Sequence, residues 1–69
     1  MISNYFVVGM HCEHCVHAVT EEVGAIPGVQ KAEVHLDSGA LRLTSDERID
    51  LSLVEAAVDE AGGYTVTAA

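Results

Sequence analysis

The sequence predicts an α+β fold with the element order β-α-β-β-α-β, in which four strands form one antiparallel sheet and both helices cover one face. Two observations lead to this prediction. The apolar residues change periodicity along the chain, from alternation in extended stretches to spacings of three and four in helical stretches. Glycine and proline fall between these stretches as turn residues. Right-handed crossovers then place both helices on the same side of the sheet.

The chain begins with a predicted strand and helix. The β-branched and aromatic stretch SNYFVV, residues 3–8, predicts a strand that Gly9 ends. From residue 14 to residue 26, four apolar side chains recur at helical spacing: Val16, Val19, Val23 and Ile26. They predict one buried stripe on a helix. Pro27 ends this helix, because proline disfavours a helical residue before it.

A β-hairpin is predicted next. Residues 29–36 and 40–45 alternate between apolar and polar side chains, and the DSG turn at 37–39 joins them. One face of this sheet has no element to cover it. If Tyr5 and Val7 point into the core, Phe6 and Val8 lie on that open face.

A second helix and a short strand complete the chain. The helix is expected to begin at an Asp50 or Ser52 cap, since Ser52 and Glu55 fit the capping-box pattern. Its apolar face is expected to consist of five residues: Leu53, Val54, Ala57, Val58 and Ala61. The doubled glycine at 62–63 ends the helix, and YTVTA forms the last strand. This order corresponds to the ferredoxin-like α+β sandwich.

Length and charge limit the possible functions. We expect the 69 residues to form a single domain over residues 1–69. The 3 basic and 11 acidic residues give a net charge of −8, which disfavours nucleic acid and anionic membranes and favours a partner with a basic face. The N-terminal stretch MISNYFVVGM has neither a basic region nor an apolar run of spanning length. We therefore expect no membrane insertion and a cytoplasmic location, where thiols stay reduced.

The segment HCEHCVH, residues 11–17, contains both cysteines and three of the four histidines. It is consistent with a redox dithiol, a structural zinc site or an open site for a soft metal ion. Cys12 is predicted to lie on a loop and Cys15 in the first helical turn, beside free N–H groups and the positive end of the helix dipole. This environment favours thiolates, which select soft ions, Cu(I) before Zn(II).

The other two interpretations have specific weaknesses. CEHC has the spacing of a thioredoxin-like dithiol, but that fold normally needs a longer chain and a proline packed against the dithiol. A structural zinc site needs four closed ligands, and His11, His14 and His17 have the wrong spacing to complete one. Met10 is predicted to fill the core beneath the loop. His14 is either a supporting ligand or a solvated side chain, and His11 is expected to face solvent.

The residues GMHCEHC followed by VHAVTEEVGAIPGV resemble the heavy-metal-associated domain family. The resemblance extends through the DSG turn to EAGGYTV and so covers nearly the whole chain. It implies a metal site formed by Cys12 and Cys15, with Tyr64 corresponding to the tyrosine near the site in bacterial members. Zinc- and cadmium-type members often place an acidic residue before the first cysteine, so His11 favours Cu(I).

The resemblance implies a cytoplasmic copper chaperone of the bacterial type and not an enzyme. Such a protein transfers Cu(I) by ligand exchange to the metal-binding domain of a copper-transporting P-type ATPase or to a copper-responsive regulator. We expect a monomer without copper and copper-bridged dimers with excess Cu(I), with His14 or Tyr64 near the junction. A dithiol oxidoreductase and a carrier of Zn(II), Ag(I) or Hg(II) are the alternatives.

Overall fold

The computed structural model describes residues 1–69, and its elements follow the predicted order. There are four strands and two helices: β1 (Ile2–Val8), α1 (Glu13–Gly24), β2 (Val29–Val34), β3 (Ala40–Ser45), α2 (Leu51–Gly62) and β4 (Thr65–Ala68). The strands form one antiparallel sheet in the order β2-β3-β1-β4. The two helices pack against each other and against the sheet, which confirms the ferredoxin-like sandwich. Neither helix has the length and apolarity that a membrane crossing requires.

The core lies between the sheet and the helices. Its strand contribution comes from alternate residues, because successive side chains of a strand point to opposite faces. Twelve apolar side chains are buried there: Tyr5, Val7, Val19, Val23, Ile26, Leu41, Leu43, Ile49, Val54, Ala57, Val58 and Val66. Phe6 and Val8 lie on the open face as predicted, with 45% and 60% of their surface exposed.

Strand register brings three connections to one end of the sheet. Phe6 is opposite Ala40 of β3, and Val8 is opposite Thr65 of β4. The segment after β1, the β2–β3 turn and the start of β4 therefore lie close together. The N–H of Val7 also donates a 2.8 Å hydrogen bond to the carbonyl of Gly39, which ties the turn to β1. This end of the sheet carries both cysteines and Tyr64.

Two elements end earlier than predicted. α1 ends at Gly24, and Ile26 is buried from the turn that follows, where its N–H donates to the carbonyl of Val23. β2 ends at Val34, because His35 begins the turn: its carbonyl accepts the N–H of Gly39 at 2.9 Å. The apolar periodicity continues past the end of each element, to Ile26 after α1 and to Leu36 after β2, so the pattern alone could not locate these boundaries.

The prediction for the start of α2 is confirmed for Asp50 and wrong for Ser52 and Leu53. Asp50 is the N-cap and Ser52 lies inside the helix, so the capping box of Ser52 and Glu55 does not form. The Asp50 side chain itself makes no capping hydrogen bond. Leu53 is 48% exposed and not part of the buried face, because successive helix residues are rotated by about 100° and Val54 points directly at the core. Ile49, which precedes the helix, is buried at this end.

Candidate metal-binding site

Cys12 and Cys15 lie together at the start of α1, as predicted. Cys12 is the N-cap, with extended backbone (φ −154°, ψ 170°), and Cys15 lies in the first turn. The carbonyl of Cys12 accepts hydrogen bonds from the N–H groups of Cys15 at 3.0 Å and Val16 at 3.3 Å. Both thiols are free, and their Sγ atoms are 3.4 Å apart. Cys12 is exposed and Cys15 is half-buried, so Cys12 is the more accessible of the two residues.

No side chain caps this helix. N-cap residues are usually Ser, Thr, Asp or Asn, whose oxygens accept an N–H of the first turn. Cys12 occupies this position and makes no such bond. The positive end of the helix dipole is therefore directed at the two sulfurs, where it favours a negatively charged group.

The surroundings of Cys15 favour its thiolate. The pKa of Cys15 falls from its ordinary value of 9.0 to about 7, chiefly because the backbone N–H of His11 donates to the sulfur. Hydrogen bonding from the Tyr64 hydroxyl and from Cys12 lowers the pKa further, whereas burial acts in the opposite direction. At neutral pH a substantial fraction of Cys15 is therefore thiolate, which is the form that binds metal.

The ring of Tyr64 lies beside Cys15 in space that is open because residues 9 and 62 are glycines. A Cβ atom on Gly9 would lie 3.0 Å from Cδ1 of the Tyr64 ring, and one on Gly62 would lie 2.8 Å from Cε2. The ring thus occupies the space between the end of β1 and the end of α2. The hydrogen bond to Cys15 raises the pKa of Tyr64, so its hydroxyl remains a proton donor when Cys15 is ionised.

The two glycines before Tyr64 have different roles. Gly63 adopts the left-handed conformation (φ 73°) and ends α2 by donating its N–H to the carbonyl of Asp59 at 2.7 Å. Gly62 is helical and leaves room for the Tyr64 ring. The sequence predicted that both would end the helix and missed the second role. The second glycine beside Gly63 was the one feature of the sequence that indicated this role of Gly62.

The histidines considered as supporting ligands do not form a metal-binding cluster with the two cysteines. His11, His14 and His17 are all exposed, and no three His, Cys, Asp or Glu side chains lie close enough to share a metal ion. A preformed closed zinc site is therefore not present. The contribution of His11 to the site comes from its backbone N–H. Met10 is half-buried and packs against the core, in agreement with the predicted packing role.

The charged side chains of the two helices are all acidic. Neither helix contains Lys or Arg, and together they expose six carboxylates: Glu13, Glu21, Glu22, Glu55, Asp59 and Glu60. On the open sheet face, Arg42 and Lys31 both pair with Glu33, at 2.6 and 3.2 Å. Arg42, with Lys31 second, holds the pKa of the Glu33 carboxyl below its usual range. The helical layer is therefore uniformly negative.

Comparison with known proteins relates this geometry to one family. Residues 4–65 match the family model described as heavy-metal-associated domain. The chain is 37% identical over 57 residues to the copper chaperone CopZ of Staphylococcus haemolyticus, an alignment that covers 81% of this chain and 84% of that protein. It is 36% identical over 64 residues to copper-transporting ATPase 1 of Rhizobium meliloti, which covers 90% of this chain and 8% of the ATPase. A solved CopZ metallochaperone structure superposes with a TM-score of 0.86 at 31% identity, covering 97% of this chain and 100% of that one.

Proposed function

The chain belongs to the heavy-metal-associated domain family, and we propose that within this family it is a Cu(I) chaperone that holds one ion between Cys12 and Cys15. The family assignment makes it a metal-binding protein and not an enzyme. The observation that carries the copper proposal is the pair of free sulfurs, 3.4 Å apart, at an uncapped helix N-terminus. Two thiolates around a monovalent ion leave one negative charge, which the helix dipole stabilises.

Three considerations favour copper over other soft ions. Thiolate ligands select Cu(I) strongly. The copper chaperone and the copper-transporting ATPase are both similar to this chain over more than four-fifths of its length. The residue before the first cysteine is His11 and not an acidic residue, which is the pattern that the family resemblance associates with Cu(I). Carriage of Zn(II), Ag(I) or Hg(II) through the same sulfurs is the alternative.

Transfer would occur by ligand exchange. One thiolate of the receiving protein would bind the ion beside the exposed Cys12, and the first sulfur of this chain would leave. A second thiolate of the receiving protein would then replace the remaining sulfur. When Cys15 leaves, its negative charge is stabilised by the His11 N–H and the Tyr64 hydroxyl, the same groups that lower its pKa in the copper-free protein. These donors reduce the cost of release, so tight binding and rapid transfer are compatible.

The remaining residues near the site have supporting roles in this proposal. Met10 packs beneath the loop, and the exposed imidazole of His14 is available near a second molecule in a copper-bridged dimer. The negative helical layer favours a receiving protein with a basic face. That receiver is the metal-binding domain of a copper-transporting P-type ATPase or a copper-responsive regulator in the cytoplasm.

Competitive titration with Cu(I), Zn(II) and Ag(I), combined with X-ray absorption at the metal edge, tests the proposal. We expect one Cu(I) per chain, bound through two sulfur atoms, and loss of this binding in the Cys12→Ser/Cys15→Ser variant. His14→Ala serves as the control and should retain the two-sulfur site. Circular dichroism should show an unchanged fold in all variants, because no core residue is altered. Unchanged Cu(I) affinity in the double serine variant would place the site elsewhere, and turnover in a protein-disulfide reduction assay would favour an oxidoreductase.

A further inference from the structure

A groove beside the cysteines combines an apolar floor with an acidic rim. It encloses about 440 Å³ between the first turns of α1 and the β2–β3 turn. We call it the hairpin groove, and six residues line it: Glu13, Val16, Val34, His35, Leu36 and Asp37. None of them is a proposed copper ligand or a supporting residue of that site, so the groove is a separate feature.

The hairpin groove is fixed next to the candidate metal site. Glu13 and Val16 directly follow Cys12 and Cys15 in the chain. On the opposite side, the N–H of His35 donates to the carbonyl of Ala40 at 2.9 Å and holds the turn in place. A protein that docks over the two sulfurs would therefore also cover the groove.

The floor and the rim differ in chemical character. Val16, Val34 and Leu36 are half-buried and form the floor, whereas Glu13 and Asp37 are exposed at the rim. Apolar surface next to carboxylates suits a side chain with a methylene stem and a cationic head, since lysine and arginine bury the stem and keep the charge at the surface.

The carboxylates of the rim have no cationic partner within the protein. Both ion pairs of the structure involve Glu33, on the open sheet face. Asp37 accepts the N–H of Ser38 through Oδ1 at 2.9 Å, and neither it nor Glu13 forms an ion pair. Arg48 lies in the loop between β3 and α2, at the other end of the sheet. The groove therefore presents two uncompensated negative charges.

We propose that the hairpin groove receives an arginine or lysine side chain of the protein that accepts the metal ion. The stem lies on Val16, Val34 and Leu36, and the cationic head binds Glu13 and Asp37. Arginine fits best, because its planar guanidinium can donate to two carboxylates at once. This inference rests on the proposed chaperone function and assigns to it a specific place where a basic partner is recognised.

An NMR titration tests the groove without copper. The reduced, copper-free, ¹⁵N-labelled protein is titrated with the blocked peptide acetyl-Gly-Arg-Gly-amide and, as a control, acetyl-Gly-Gln-Gly-amide. We expect saturable shifts at the amides of residues 13, 16 and 34–37 with the arginine peptide and none with the glutamine peptide. The inference is overturned if no saturable shift occurs, or if the shifts spread evenly over the acidic helices.

Two variants with the same chemical change separate the groove from general electrostatics. Asp37→Asn removes a rim charge but keeps an Oδ1 acceptor for the N–H of Ser38. Asp59→Asn removes an exposed charge from α2, outside the groove. We expect Asp37→Asn to weaken peptide binding at least about threefold, as loss of a charge-assisted hydrogen bond does, and Asp59→Asn to leave it unchanged. Equal effects of the two variants would refute a specific site.

The outcome can be distinguished from that of the copper titration. A protein that binds Cu(I) stoichiometrically but shows none of these shifts overturns the groove inference and leaves the chaperone proposal intact. A protein that shows the shifts but binds no Cu(I) overturns the chaperone proposal, and with it the identification of the partner as a metal acceptor.

Discussion

The ring of Tyr64 packs directly on Gly62, so closely that a Cβ atom at residue 62 would lie 3.0 Å from the tyrosine hydroxyl oxygen. That hydroxyl is also the second largest influence on the ionisation of Cys15. A residue at the end of α2 thus affects a sulfur at the start of α1 through one aromatic side chain.

Gly62→Ala should raise the pKa of Cys15 from about 7 toward its ordinary value of 9.0, because the added methyl group displaces the Tyr64 ring. The pH dependence of alkylation by iodoacetamide measures this change. Gly24→Ala is the matched control, since a Cβ atom there meets nothing within 4 Å. Tyr64→Phe should act in the same direction as Gly62→Ala, because it removes only the hydroxyl. If Gly62→Ala and Gly24→Ala give the same alkylation profile, the link between Gly62 and Cys15 is refuted.

The stability of the reduced, copper-free protein should rise as the pH increases from about 7 to about 9. The pKa of Cys15 is lower in the folded state than its ordinary value of 9.0. Its contribution to stability is therefore fully present above pH 9.0 and is lost as the pH falls through about 7. Urea denaturation at several pH values measures the effect. Cys15→Ser should have a smaller rise, and an equal rise in that variant would contradict the assignment.

Leu43→Ala should lower the free energy of unfolding by about 2–5 kcal/mol, the range for a fully buried leucine. Leu43 has no exposed surface, whereas Leu53 is 48% exposed although the sequence predicted it to be buried. Leu53→Ala should therefore cost less than about 1 kcal/mol, since alanine is also a good helix former. Chemical denaturation measures the free energy of unfolding of both variants. Equal losses of stability would show that Leu53 belongs to the core.

Gly39→Ala should destabilise the protein more than Gly63→Ala, although both glycines have similar positive φ angles of 75° and 73°. Both substitutions carry the cost of a left-handed alanine, roughly 1–2 kcal/mol. At residue 39 the new Cβ would also lie 2.8 Å from the carbonyl oxygen of Val7, whereas at residue 63 it meets nothing within 4 Å. Thermal unfolding compares the two variants. Equal melting temperatures would show that β1 moves away from the new Cβ atom without loss of stability.

Local patterns predicted the order of the elements because each strand and helix of this chain carries its own periodicity. β3 spans Ala40–Ser45, the range that the alternation predicted. Leu53 was wrongly predicted to be buried, because Leu53 and Val54 are both apolar and only tertiary contact decides which of them is buried. The capping-box motif at Ser52 was misleading for a related reason: Ile49 packs into the core, and the chain enters the helix immediately after it.

The position of the candidate site was predictable, but its fine structure was not. The loop and first-turn positions of Cys12 and Cys15 follow from the end of the first strand and the start of the helical spacing. The approach of Tyr64 to Gly9, and the influence of its hydroxyl on Cys15, join elements that are distant in sequence. Such contacts depend on tertiary packing, so no local pattern reports them. The binding of metal by Cys12 and Cys15 and the single-domain organisation of residues 1–69 stay predictions.

The separation of charge between the helical layer and the open sheet face gives the molecule a permanent electric dipole moment, with its negative pole on the helices. In the electric field of a charged protein, such a molecule is oriented before the two surfaces come into contact. Encounters with a cationic surface would begin with the helices facing it, so fewer collisions would be spent in unproductive orientations. Added salt would shorten the distance at which this alignment begins, to roughly 8 Å at physiological ionic strength.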